Sequence, residues 1–167
     1  MNWLNKIVQS DMLDEMFNTP QKVAVKTDPP QSESYTLTLY RGFDADLNKL
    51  RRSNGNYILS PHKSEQGVIW FTHALINGYD PKEYISGRGQ YTLEYPLVCK
   101  RHFQRVHYDD GSHYDDIPEG ILAKSEPTEN CRFYRGFELP EGWFFSYKME
   151  KFIVCTIPLI VSPSMLT

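Results

Sequence analysis

The sequence predicts an α+β fold, a mixed, largely antiparallel sheet preceded by an N-terminal helix. Three observations predict it. Residues 2–17 repeat apolar side chains at three- and four-residue spacing, the rhythm of an amphipathic helix. Most of the remaining chain is short runs of β-branched and aromatic residues, cut by Gly, Pro and Asn-Gly. These runs do not alternate with helices in the βαβ pattern that builds a parallel sheet. With 167 residues, the chain suits one domain spanning 1–167.

The elements follow in order. In the helix of residues 1–17, Trp3, Leu4, Ile7, Val8, Met12, Leu13, Met16 and Phe17 mark the apolar face, Asn2 is a cap, and Thr19-Pro20 ends the pattern. Residues 18–34 read as a connector, with Pro29-Pro30 and Ser32 to Ser34. Tyr35 to Arg41 alternates polar with apolar and stops at Gly42, as a strand stopped by a turn does. A short helix over 44–51 follows, with Leu47 and Leu50 inward, then the turn Asn54-Gly55 and a short strand over 57–59. Val68 to Thr72 is an apolar strand behind Gly67, and Pro81 suits the first position of a helix over 81–85. Residues 90–98 form a strand that 101–108 extend. Residues 109–130, polar and acidic, form a long surface loop. Strands over 132–137 and 143–147 lead to a closing strand over 152–161, where Pro158 marks an edge or bulge. Tyr-Arg-Gly-Phe occurs at both 40–43 and 134–137, but the flanks differ, so it is not a structural repeat.

Composition narrows the function. A net charge of −3 and a pI near 5.9 argue against general electrostatic binding to nucleic acid. Eleven Tyr, nine Phe and three Trp favour strands and suit stacking on flat ligands. Cys99, Cys131 and Cys155 lack paired spacing and sit in apolar or strand contexts, which fits structural thiols in a reducing compartment. No apolar run reaches the length that crosses a membrane, and the N-terminal segment lacks a signal peptide's apolar core. The expected location is the cytoplasm.

Three segments carry the sharpest signal: Tyr40-Arg41-Gly42-Phe43 at a strand end, Gly67-Val68-Ile69-Trp70-Phe71-Thr72, and Glu150 at the mouth of the apolar run Phe152 to Ile157. In this order they resemble the ADP-ribosyltransferase superfamily, and the resemblance spans residues 35–161. It implies that family's sheet arrangement and NAD as substrate. Glu150 would be the catalytic carboxylate, Arg41 and Gly42 would grip NAD, and Tyr84 with Trp70 or Phe71, or else Tyr79, would frame nicotinamide. The implied activity is mono-ADP-ribosylation of a macromolecular acceptor, a protein or alternatively a nucleic acid, with loop 109–130 helping to choose it. With no export signal, such a protein fits a viral or mobile-element effector in host cytoplasm. The chain departs from the family's patterns: the polymerase-type His is Arg41, Leu59-Ser60-Pro61 with Ser64 stands where Ser-Thr-Ser is usual, and Lys148 replaces the acidic or amide residue two before Glu150.

The residue types suit that chemistry. Breaking a nicotinamide–ribose bond develops oxocarbenium character, which a fixed carboxylate stabilises. Arginine pairs with diphosphate, glycine admits close approach, and aromatic rings stack on nicotinamide. Each residue also has a plain structural role: Arg41 in a surface ion pair, Trp70 and Phe71 on opposite faces of a strand, Tyr84 packing a helix. Two further clusters compete. His102, His107 and His113 with Asp109, Asp110, Asp115 and Asp116 carry metal-ligand chemistry, but the five-residue step between His102 and His107 puts them on opposite strand faces, so no metal is expected. Lys100-Arg101-His102-Phe103-Gln104-Arg105 suits a single-stranded nucleic-acid module. A non-catalytic binding protein, such as an inhibitor of a host defence complex, is the main alternative to the enzyme.

Overall fold

The computed structural model describes residues 22–43, 52–75, 80–124, 129–147 and 152–167. The helix expected over residues 1–17 and the short helix over 44–51 lie outside them, as do Glu150 and Tyr79. Two compact units emerge, one from the chain before residue 31 together with 104–116, the other from 31–103 and 117–167.

In the first unit, β1 (Ala24–Thr27) pairs antiparallel with residues 106–108 at the end of β6 (Tyr91–Tyr108), and β7 (His113–Asp116) pairs with 104–107. Gly111, at φ +85°, makes the turn between β6 and β7. Charges brace the rim: Arg105 meets Asp115 at 3.0 Å, Lys22 meets Asp110 at 3.4 Å, and His107 meets Asp28 at 2.9 Å.

The second unit holds the core. Its main sheet runs β10 (Trp143–Phe145), β11 (Phe152–Cys155), β5 (Ile69–Thr72), β2 (Gln31–Phe43), β6, β9 (Phe137–Glu138), β8 (Phe133–Tyr134), and every pairing is antiparallel. The two ends nearly meet: Cys131, just before β8, bridges Phe145 on β10 through two backbone hydrogen bonds of 3.1 and 2.7 Å. The sheet therefore approaches a closed barrel, which removes the exposed edges an open sheet leaves. Leu37, Leu39, Ile69, Phe71, Trp143 and Ile153 fill it and are almost wholly buried. A smaller sheet, β3 (Arg52–Ser53), β4 (Asn56–Leu59) and β12 (Leu159–Val161), is turned by Asn54-Gly55 with φ of +50° and +80° at the two residues, the geometry that suits a two-residue hairpin.

The α+β expectation is overturned. The described architecture is mostly antiparallel β, with only two α-helices of four residues each, α1 (Pro81–Tyr84) and α2 (Glu119–Leu122). The reason is the chain's richness in β-branched and aromatic residues, which satisfy backbone groups in ladders and pack on pleated faces. Three local readings change with it. Residues 31–34, read as connector, extend β2 by pairing with 100–103. Residues 109–130 hold β7 and α2 in place of a structureless loop. Where one strand over 132–137 is expected, residues 133–138 form a hairpin, with Arg135 and Gly136 at φ +50° and +85° in its turn. The same tetrapeptide at 40–43 is extended strand. Among the described residues no helix is long and apolar enough to cross a membrane.

The Asp28–His107 contact makes a testable acid sensitivity. The hydrogen bond to His107, foremost, holds the Asp28 carboxyl below its ordinary value of 3.8. A lowered carboxylate value means the tie stabilises the fold above the ordinary carboxylate range and is lost as pH falls through the lowered value. An NMR titration should find Asp28 protonating below 3.8 in the folded protein, and His107→Ala should return it toward that value.

Candidate functional site

β2, β5 and β11 are neighbours in the sheet, and they come from the three segments singled out above. Their register places Tyr40 opposite Thr72 and Thr72 opposite Phe152. At this end of the strands lies a cleft of about 320 Å³ whose walls include Arg41, Gly42, Glu65, Trp70, Tyr84, Arg88 and Phe152.

Strand alternation sorts the aromatic pair on β5. Phe71 points into the core, where its ring packs 5.6 Å from Trp143 and 6.0 Å from Tyr95, so it does not line the cleft. Trp70 points the other way and is half-buried at the cleft wall. Its ring meets Phe152 edge-on at 5.7 Å, and Tyr84 meets the same Phe152 edge-on at 5.8 Å. Edge-to-face contacts suit the charge distribution of aromatic rings and hold the three in fixed relation.

Tyr84 is delivered by α1. Asp80 caps this short helix by accepting from the amides of Lys82 at 2.9 Å and Glu83 at 3.5 Å, and Pro81 occupies the first turn, where a missing N–H costs nothing. The buried hydroxyl of Thr72 lies 3.2 Å from the Tyr40 carbonyl and 3.1 Å from the Pro81 carbonyl, tying α1 to β2 and β5.

Arg41 is held hard. Its Nη2 donates to both carboxylate oxygens of Glu65 at 2.7 and 2.9 Å, and its Nη1 donates to the Trp70 carbonyl at 3.2 Å. The Trp70 indole in turn donates to the Glu65 carbonyl at 3.2 Å. One short 3-10 turn, Lys63–Glu65, thus fixes both Arg41 and Trp70. The Arg41 Nε is buried with no partner among the described residues. Gly42 has a reason of its own for lacking a side chain: a Cβ there would fall 2.5 Å from the Arg88 carbonyl oxygen. The adjoining Gly89 faces Phe43 as tightly, since its Cβ would fall 2.6 Å from the Phe43 amide nitrogen. Glycines at both places let the segment after α1 lie against the end of β2.

The structure therefore gathers Arg41, Gly42, Trp70 and Tyr84 at one cleft and leaves Phe71 out of it. It adds Glu65, Arg88 and Phe152, which local sequence did not single out. A strand-end arginine needs an acceptor, but nothing in the sequence says that it lies 24 residues on. A larger groove of about 420 Å³ opens elsewhere in the same unit, between Ser32, Ser34, Val98, Lys100, Arg132 and Glu138. There Arg132 is already bonded to the Leu139 carbonyl and to Glu138, whose other oxygen meets His102 at 2.9 Å. Its Arg132 and Glu138 are thus engaged with one another, with a backbone carbonyl and with His102. Two of the thiols are poor nucleophiles: burial pushes Cys99 up to about 11 and raises Cys155 as well.

No family model, no curated protein and no solved structure matches the chain.

The Arg41–Glu65 tie makes a quantitative expectation. Truncating one member strands the other, and for a fully buried pair the cost is about 3–5 kcal/mol. Glu65 is 38% exposed, so water recovers part of it and Glu65→Ala should cost about 1–2 kcal/mol in chemical denaturation. Arg41→Met with Glu65→Ala should cost less than the sum of the single changes. Strict additivity would show that the two side chains do not act as a pair.

Proposed function

We propose that the chain is an NAD-dependent mono-ADP-ribosyltransferase modifying a macromolecular target. The observation that carries this reading is the cleft itself. Three segments, far apart in sequence and ordered as in the ADP-ribosyltransferase superfamily, become adjacent strands, and four residues named from the resemblance line one cleft at their end. Its volume lies in the range of small-molecule sites. Its walls suit a flat pyridinium ring attached to a charged nucleotide, with aromatic surface from Trp70, Tyr84 and Phe152 beside guanidinium groups.

Glu150 is the proposed catalytic carboxylate. Phe152, two residues along, lines the cleft, and two residues of chain span at most about 7 Å. In the reaction a nucleophilic atom of the acceptor attacks C1′ of the nicotinamide ribose. The C1′–N bond breaks and its electron pair leaves with nicotinamide, neutralising the pyridinium. The acceptor gives up its proton to solvent. Positive charge gathers on the ribose ring as the bond breaks, and a carboxylate there lowers the barrier. Trp70 and Tyr84 hold the leaving ring, while Arg41 keeps Glu65 and Trp70 in position.

The test is incubation of the protein with labelled NAD in a cell lysate, following nicotinamide release and label transfer by mass spectrometry. Wild type should release nicotinamide and label a target. Glu150→Gln, with unchanged melting, should lose about 100-fold or more in rate, the scale of losing a dedicated charge stabiliser. A folded wild-type protein that neither releases nicotinamide nor transfers label overturns the enzyme reading and favours a stoichiometric binding protein.

A further inference from the structure

Arg88 is the cleft's uncommitted cation. It sits in the turn that follows α1, and its amide donates to the Ile85 carbonyl at 3.0 Å. Its guanidinium lies over the Tyr84 ring, 4.6 Å from the centroid, a contact that orients a planar cation without using its N–H donors. Among the described residues no carboxylate or carbonyl accepts from that guanidinium. Arg101, Arg105 and Arg132 each meet a carboxylate, at 2.9, 3.0 and 3.4 Å, whereas Arg52, outside the cleft, lies over the Tyr57 ring as Arg88 does over Tyr84. Arg41 spends its terminal nitrogens on Glu65 and the Trp70 carbonyl.

The backbone beneath Arg88 is also fixed. Its carbonyl oxygen fills the space beside Gly42, and Gly89 lies against Phe43. The side chain is therefore rooted at the cleft wall, steered by a ring that itself lines the cleft, and left with its donors open. The one carboxylate lining the cleft among the described residues is Glu65, whose charge Arg41 neutralises. A planar guanidinium presented this way matches two oxygens of a phosphate group at once.

We propose that Arg88, and not Arg41, holds the phosphate groups of the cleft's ligand, so that the cleft takes a molecule pairing a flat ring with a diphosphate. Arg41 is then a positioning residue. That the ligand is NAD rests on the reading above; the anion subsite itself does not.

Titration of the purified protein with inorganic pyrophosphate, followed by NMR and calorimetry at low ionic strength, tests the subsite. Wild type should bind, with the Arg88 guanidinium resonance shifting. Arg88→Ala should weaken binding about tenfold or more, the scale of one charge-assisted contact. Arg88→Lys keeps the charge but loses the paired geometry and should fall between the two. Lys100→Ala, in the other groove, should stay within about twofold of wild type. No pyrophosphate binding by wild type, or equal binding by all three Arg88 forms, overturns the proposal. Pyrophosphate binding that depends on Arg88 in a protein that never consumes NAD would retain the subsite and discard the transferase reading.

Discussion

The cleft depends on one ion pair. Arg41 is a cation at a strand end with only 17% of its side chain exposed, and a guanidinium so placed must find acceptors within the protein. Glu65 supplies two and the Trp70 carbonyl a third. Because Glu65 lies in the turn that leads into β5, satisfying Arg41 also fixes where β5 begins. The indole bond from Trp70 back to the Glu65 carbonyl then sets the ring at the cleft wall. Phe152 and Tyr84 take their edge-on contacts from that ring outward. An arginine that local sequence marks as a ligand contact thus acts first as a structural brace, and ligand charge is left to a neighbour that is not so engaged.

The brace works only because the sheet behind it is stiff. β2 and β6 share a ladder from Gln31↔Phe103 to Phe43↔Tyr91, and the bridge between Cys131 and Phe145 brings the sheet's ends together. Leu39, Phe71 and Ile153, each at most 1% exposed, pack inside. A side chain on a strand alternates between that interior and the outside, so Ile69 and Phe71 serve stability while Trp70 serves the cleft. Gly42 and Gly89 then allow two backbones to meet where side chains would hold them apart.

How much of this the sequence revealed depends on the range of each interaction. The Asn54-Gly55 turn, the helix start at Pro81 and the alternation on β5 are set by neighbours within a few residues, and all are legible. Residues 31–34 are polar and exposed, so no buried face marks them as strand; pairing with 100–103 makes them one. Tyr-Arg-Gly-Phe shows the limit most directly. At 40–43 it lies in a long ladder, while at 134–137 its Arg-Gly turns a hairpin, with the Gly136 carbonyl accepting from the His102 amide at 2.7 Å. The α+β expectation fails because its helical part rests chiefly on residues 1–17 and 44–51, which lie outside the described residues, whereas the described residues are dominated by ladders. At the site, Arg41, Gly42, Trp70 and Tyr84 were visible as residue types beside strand ends. Glu65 and Arg88 were not, because nothing local distinguishes them from surface charges.

On the proposal that NAD is the ligand, this cleft and no other surface receives it. The most direct measurement follows the tryptophan indole resonances during titration with NAD. The expected result is a saturable shift of the Trp70 indole, which lies at the cleft wall, with the buried Trp143 indole little changed. A Trp70 resonance that stays still at saturating NAD, or shifts confined to the groove around Val98 and Lys100, would contradict it.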